Sequence, residues 1–103
     1  MNKFANRYGY SDVTPYEVVR VISDKTIEIR EMDAERDESV ELKWEVGGFA
    51  GHCVNQREQK WHITSNSNNR VVRIRLGKAG WKDAHGGRYD LSDEPHRFYD
   101  YNF

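Results

Sequence analysis

The sequence predicts an all-β fold: a small antiparallel barrel or roll of about seven short strands, in a single β-rich domain spanning residues 1–103. Three observations carry this. Apolar and polar residues alternate with period two over several short stretches. Turn-forming residues recur roughly every 8–12 positions. Aromatic residues, 13% of the chain, supply core area that a hydrophobic fraction of 37% would otherwise leave short.

Met1 to Asp12 is polar with scattered aromatics and no clear period. Asp12-Val13-Thr14-Pro15 has turn chemistry. The β-branched run Tyr16 to Ile22 reads as a strand, Ser23-Asp24-Lys25 as a turn, and Thr26 to Met32 as the returning strand with Ile27 and Ile29 on one face. Asp33 to Ser39 is acidic and is expected to loop out. Val40 to Val46 alternates again, which places Val40, Leu42, Trp44 and Val46 inward. Trp61-His62-Ile63-Thr64 is a strand, Ser65 to Asn69 a turn, and Arg70 to Leu76 a strand with Val72, Ile74 and Leu76 inside and Arg73 and Arg75 outside. Trp81-Lys82 and Arg88 to Leu91 follow between glycine-rich turns. Phe98 to Phe103 alternates, so Tyr99, Tyr101 and Phe103 are expected to dock into the body.

Net charge is −1, yet the charges are unevenly placed. Between Glu31 and Glu45 seven acids face Arg36 and Lys43, a local −5; between Arg57 and Arg88 eight bases face Glu58 and Asp83, a local +6. Either the two stretches pair across a sheet or they create opposed surface fields. A single cysteine excludes an intramolecular disulfide, no apolar run reaches membrane-span length, and no leader pattern opens the chain. These features lead to an expectation of a reducing cytoplasm.

Between Gly47 and Trp61 the chain gathers three glycines, Phe49, His52, Cys53, Asn55, Gln56 and Gln59. The motifs Gly47-Gly48-Phe49 with His52 and Asn55-Gln56, Gln59-Lys60-Trp61, and the ending Leu91-Ser92-Asp93 through Phe98-Tyr99-Asp100-Tyr101-Asn102-Phe103 resemble a family of small, largely uncharacterised bacteriophage, prophage and mobile-element proteins. The resemblance covers about the last two thirds of the chain. It implies a bacterial host cytoplasm and transfers no catalytic residue. The first hairpin also resembles those that open SH3-like barrels, at the level of fold alone.

His52 and Cys53 are adjacent, so on an extended chain they point to opposite faces and do not form a nucleophile–base pair. The histidines at 52, 62, 85 and 96 show no paired metal-ligand spacing. No catalytic residue, metal site or cofactor is therefore expected. The expected function is a non-enzymatic module that binds a bacterial or phage protein, or a second copy of itself, through the loop residues Phe49, His52, Asn55, Gln56 and Gln59. The amides also have a scaffold role open to them, satisfying loop backbone. The alternative is nucleic-acid binding through Arg70, Arg73, Arg75, Lys78, Lys82 and Arg88, with Trp61, Trp81 and Tyr89 stacking on bases. A pI near 6.4 weighs against it. An enzyme built on His52, Cys53 and Asn55 is the distant third.

Overall fold

The computed structural model describes residues 3–9, 11–47, 50–53 and 55–100. In chain order its strands are β1 (Phe4–Tyr8), β2 (Val13–Ser23), β3 (Thr26–Glu31), β4 (Asp33–Arg36), β5 (Trp44–Gly47) and β6 (Ala50–Cys53). A single 3-10 turn, Gln56–Glu58, precedes β7 (Trp61–Thr64), β8 (Val71–Gly77), β9 (Gly80–Lys82) and β10 (Arg88–Ser92). The period-two reading thus resolves into more, shorter strands than alternation alone distinguishes.

Two three-stranded meanders, β1–β2–β3 and β8–β9–β10, close on each other through β3–β8 and β10–β1 into an antiparallel barrel. Alternation decides what fills it. Ala5, Tyr16, Ile27, Ile29, Ile74 and Tyr89 are the buried core, with Val18, Val72, Trp81 and Leu91 packed against it. Ile29 and Ile74 are fully shielded, each stabilising by about 1.5–3 kcal/mol relative to exposure. Gly80, at φ +99°, lies at the tight β8–β9 turn in a backbone conformation that side chains disfavour.

The chain between β3 and β8 forms two nested ribbons. β4 pairs with β7, and β5 pairs with β6 further out. Together with β3–β8 they make one long interrupted hairpin, and the molecule measures 50 × 27 × 23 Å. The interruption is asymmetric: Met32 alone separates β3 from β4, whereas six residues separate β7 from β8. Those six form the expected turn, pinned by side chains. Asn66 donates to Asp33 Oδ2 at 2.9 Å, and Asn69 donates to the Glu31 carbonyl at 2.9 Å.

After β10 the chain crosses the outside of β1 and β2. Asn6, 1% exposed, uses its amide to donate to the Glu94 carbonyl at 3.2 Å and to accept from His96 N–H at 2.8 Å. Phe98 and Val13 exchange both backbone bonds. Tyr99 is 43% exposed rather than docked in a core; residues 101–103, the rest of that expectation, lie outside the described residues.

Several local readings are revised: Val13-Thr14-Pro15, expected in a turn, open β2; Arg70, expected in a strand, precedes β8; and Leu76, expected inside, is 39% exposed. Phe4–Tyr8 is a strand, hidden in the sequence because Asn6 is buried on its outer face by the crossing segment. Asp33–Arg36 is a strand rather than a loop, held by backbone pairing to β7. Val40 and Leu42 precede β5 and are half-buried, and Trp44 is 51% exposed, because a two-stranded ribbon has no second layer to shelter an inward face.

Candidate functional site

Register places the basic residues. On the barrel's outer face Arg75 stands opposite Lys82, Lys82 opposite Arg88, and Arg88 opposite Tyr8. Inward neighbours confirm the facing: Ile74 and Tyr89 are buried, and Trp81 pairs with Leu76. Three cations therefore succeed one another across β8, β9 and β10 at strand spacing, about 4.8 Å per step. None of the three forms an ion pair among the described residues.

The next row has the opposite pattern. Arg20, Glu28 and Arg73 follow one another across β2, β3 and β8, with Glu28 bridging Arg20 at 3.9 Å and Arg73 at 3.3 Å. Beyond it Arg30 meets Glu17 at 2.8 Å, and Glu17 also accepts from Ser65 at 2.6 Å. The Ser65 hydroxyl and Arg30 hold the Glu17 carboxyl below its ordinary range. So the sheet compensates charge in two rows and leaves it uncompensated in the third. Directly opposed like charges each cost about 0.2–1 kcal/mol.

Beside this row runs an open groove of about 640 Å³, lined in part by Arg73, Arg75, Lys78 and Lys82. Above it the wall is incomplete. β9 pairs with β8 only from Arg75 to Gly77, and the chain then leaves as the 83–87 loop, so β8 has no neighbour on that side from Val71 to Ile74. The gap is a slit of about 420 Å³ lined by Arg7, Tyr16, Arg70, Arg73, Asp83 and Tyr89, among others.

Asp83 organises the slit. Its Oδ1 accepts the His85 and Gly87 N–H groups at 2.8 and 2.9 Å, and its Oδ2 accepts the Tyr89 hydroxyl at 2.9 Å. Burial would raise its pKa, but these donors and Arg7 together hold the carboxyl below its ordinary value. Gly87 is required here: a Cβ would collide with the Asp83 carboxylate and meet Arg7 Nε at 3.0 Å. Tyr16 and Tyr89 meet edge to face, 5.4 Å between centroids. Burial, reinforced by Glu31 for Tyr16 and by Asp83 for Tyr89, raises both phenols above their ordinary range.

No family model, curated protein or solved structure matches the chain.

The glycine-punctuated segment lies far along the ribbon. Asn55 Nδ2 donates to the Glu41 carbonyl at 2.7 Å and to Glu58 at 3.1 Å, while its Oδ1 accepts Lys43 N–H at 2.6 Å. Gln59 Nε2 donates to the carbonyls of Gln56 and Tyr99 at 2.8 and 2.9 Å; its Oε1 accepts Trp61 Nε1 at 2.7 Å and Tyr99 N–H at 2.9 Å. Both amides are engaged by their own fold. Gln56 is half-buried in the 3-10 turn. His52 is on β6, with its side chain outside the described residues, and Phe49 lies outside them altogether. Cys53 is 1% exposed, its Sγ 3.7 Å from Asn55 Oδ1.

Of the basic set, Arg75, Lys82 and Arg88 share the row, Arg73 bridges groove and slit, Lys78 lines the groove and Arg70 the slit. The three rings expected among them lie elsewhere. Tyr89 is core, Trp81 packs against the core, and Trp61 lies under the Arg97 guanidinium, 5.1 Å from its centroid. The ring that does belong to the row is Tyr8, 46% exposed, which the sequence concealed in an aperiodic stretch. Arg7, Tyr16 and Asp83 were likewise invisible as a group, because only barrel closure brings them together.

Proposed function

We propose that the protein is a non-enzymatic binding module that engages single-stranded nucleic acid across β8, β9 and β10, in the bacterial cytoplasm that its mobile-element resemblance implies. The carrying observation is the row Arg75–Lys82–Arg88, three adjacent like charges with no acid between them, beside a row in which Glu28 provides that compensation. A sheet bears that repulsion usefully where a polyanion neutralises it. Tyr8 at the end of the row offers an exposed ring for a base to stack on. Three cations over about 10 Å suit a short stretch of one backbone.

The acidic stretch does not cancel this face. Asp33 is bound by Asn66 and Asn69. Asp37 accepts from Ser39 and lies 3.6 Å from His62 Nε2, so among the described residues no Lys or Arg of the basic stretch pairs with an acid of the acidic one. That separation is also why the low overall pI does not weigh on the row itself.

The test is binding of fluorescent single- and double-stranded DNA and RNA at two salt concentrations, with light scattering on the same sample. Affinity for single strands should fall steeply with salt. Replacing Arg75, Lys82 and Arg88 together by Ala should reduce the log–log salt slope by about 2, the release expected for three neutralised phosphates. An unchanged slope would sink the assignment. A protein partner is the second reading. It is favoured by Val19, Val21 and Ile22, exposed together on β2; a dimeric mass without nucleic-acid binding would put it first.

A further inference from the structure

The slit carries more positive charge than its own lining compensates. Arg7 and Arg70 line it, and neither forms an ion pair among the described residues, while Arg73 is shared with Glu28. The only carboxylate in its lining, Asp83, is already committed to two backbone N–H groups and the Tyr89 hydroxyl. Two arginines thus line one cavity: Arg7 acts at a distance on the Asp83 carboxyl, and Arg70 has no ion pair among the described residues. The floor is aromatic: Tyr16 and Tyr89, set edge to face, with Val71 and Val72 along the β8 side. At about 420 Å³ the space is of small-molecule size. It also continues into the outer groove, since Arg73, Asp83 and Ala84 line both.

We propose that the slit is a binding site for a nucleoside phosphomonoester, Arg7 and Arg70 taking the phosphate and the base lying against exposed Val71 over the buried Tyr16 and Tyr89. A phosphomonoester carries close to two negative charges near neutral pH, which suits two guanidinium groups and their fork of parallel donors. A phosphodiester carries one and fits the spaced row outside. The phosphomonoester has two sources, a free mononucleotide or the terminal phosphate of a strand. The free-nucleotide form stands on the slit alone; the strand-end form rests on the nucleic-acid reading of the outer row, which the shared lining places next to it.

Calorimetric titration separates these. The ligands are a nucleoside 5′-monophosphate, the parent nucleoside, inorganic phosphate, and one oligonucleotide with and without a 5′-phosphate. The monophosphate should bind at least tenfold more tightly than either the nucleoside or inorganic phosphate. Arg70→Ala and Arg7→Gln should each weaken it about tenfold, the equivalent of one charge-assisted hydrogen bond. Thermal melts establish that both variants are folded, and Arg70, exposed and outside any strand, is the variant that leaves the barrel intact. The triple Arg75/Lys82/Arg88→Ala variant should lose strand binding and keep the monophosphate, so the two sites fail independently. A 5′-phosphate that tightens oligonucleotide binding assigns the strand end; a mononucleotide that binds without that gain assigns the free form. Monophosphate binding no tighter than nucleoside or inorganic phosphate, or unaffected by Arg70→Ala, overturns the proposal.

Discussion

Tyr89 shows how one residue can be core and site wall at once. Its ring is 3% exposed while its hydroxyl reaches the slit and donates to Asp83. Burial first, then the neighbouring carboxylate, keeps the phenol neutral well above the ordinary tyrosine range; Tyr16 is shifted the same way by burial and Glu31. The sign follows from linkage. A folded-state pKa above the unfolded value near 10 leaves stability intact below that pH and erodes it as pH rises beyond, because only the unfolded chain releases the proton readily. Ultraviolet difference titration should therefore show Tyr16 and Tyr89 ionising late, above the ordinary tyrosine range. Tyr89→Phe should remove one of that late pair. If the variant instead loses an early-titrating group, the closed floor described here is wrong. Cys53 shows the same economy on the ribbon: a buried thiol beside an amide oxygen lacks the access that nucleophilic cysteines need.

At the scale of elements, Gln59 holds the Tyr99 end of the crossing segment after β10. That one amide contacts both backbone groups of Tyr99, as a strand neighbour would, and anchors Trp61 as well. Arg97 then lies between the Trp61 and Tyr99 rings, 5.1 and 5.9 Å from their centroids. Gln59→Ala should destabilise the protein by about 1–2 kcal/mol, the cost of stranding these partners. Hydrogen exchange at the Tyr99 amide should accelerate, and protection equal to wild type would show that the segment is held some other way. These elements differed in how far the sequence revealed them. β3 and the start of β8 were legible because alternation there reports burial directly, and β2 because its β-branched run favours strand whatever its burial. β1 and β4 were not: one is covered on both faces by parts distant in sequence, and the other is strand by backbone pairing with little burial. The basic residues were legible as a set. Which of them stand side by side was not, because cross-strand register is fixed by turn lengths and barrel closure.

For the whole molecule, the main consequence is that the acidic stretch and the uncompensated basic row lie on different parts of the fold. The acidic stretch runs along the ribbon and the basic row along the barrel wall. At physiological salt, fields fade over about 8 Å, so a ligand near β9 responds to the row and little to a net charge of −1. The slit likewise exists only at this scale, since it results from β9 being shorter than the strands on either side.

The nested ribbons also have a kinetic meaning. Pairing β3 with β8 joins positions as far apart as Thr26 and Arg75, a contact whose loop-closure entropy would slow folding if met directly. Because β5–β6 and β4–β7 lie inside that loop in register, the chain can zip inward from a local hairpin and close only a few residues at each step. The innermost part of that loop would then act first in time. Ile63→Ala in β7, opposite Ala34, should accordingly slow refolding in stopped-flow measurements and leave the unfolding rate near wild type. The reverse result, faster unfolding at an unchanged folding rate, would mean that the barrel closes before the ribbon forms.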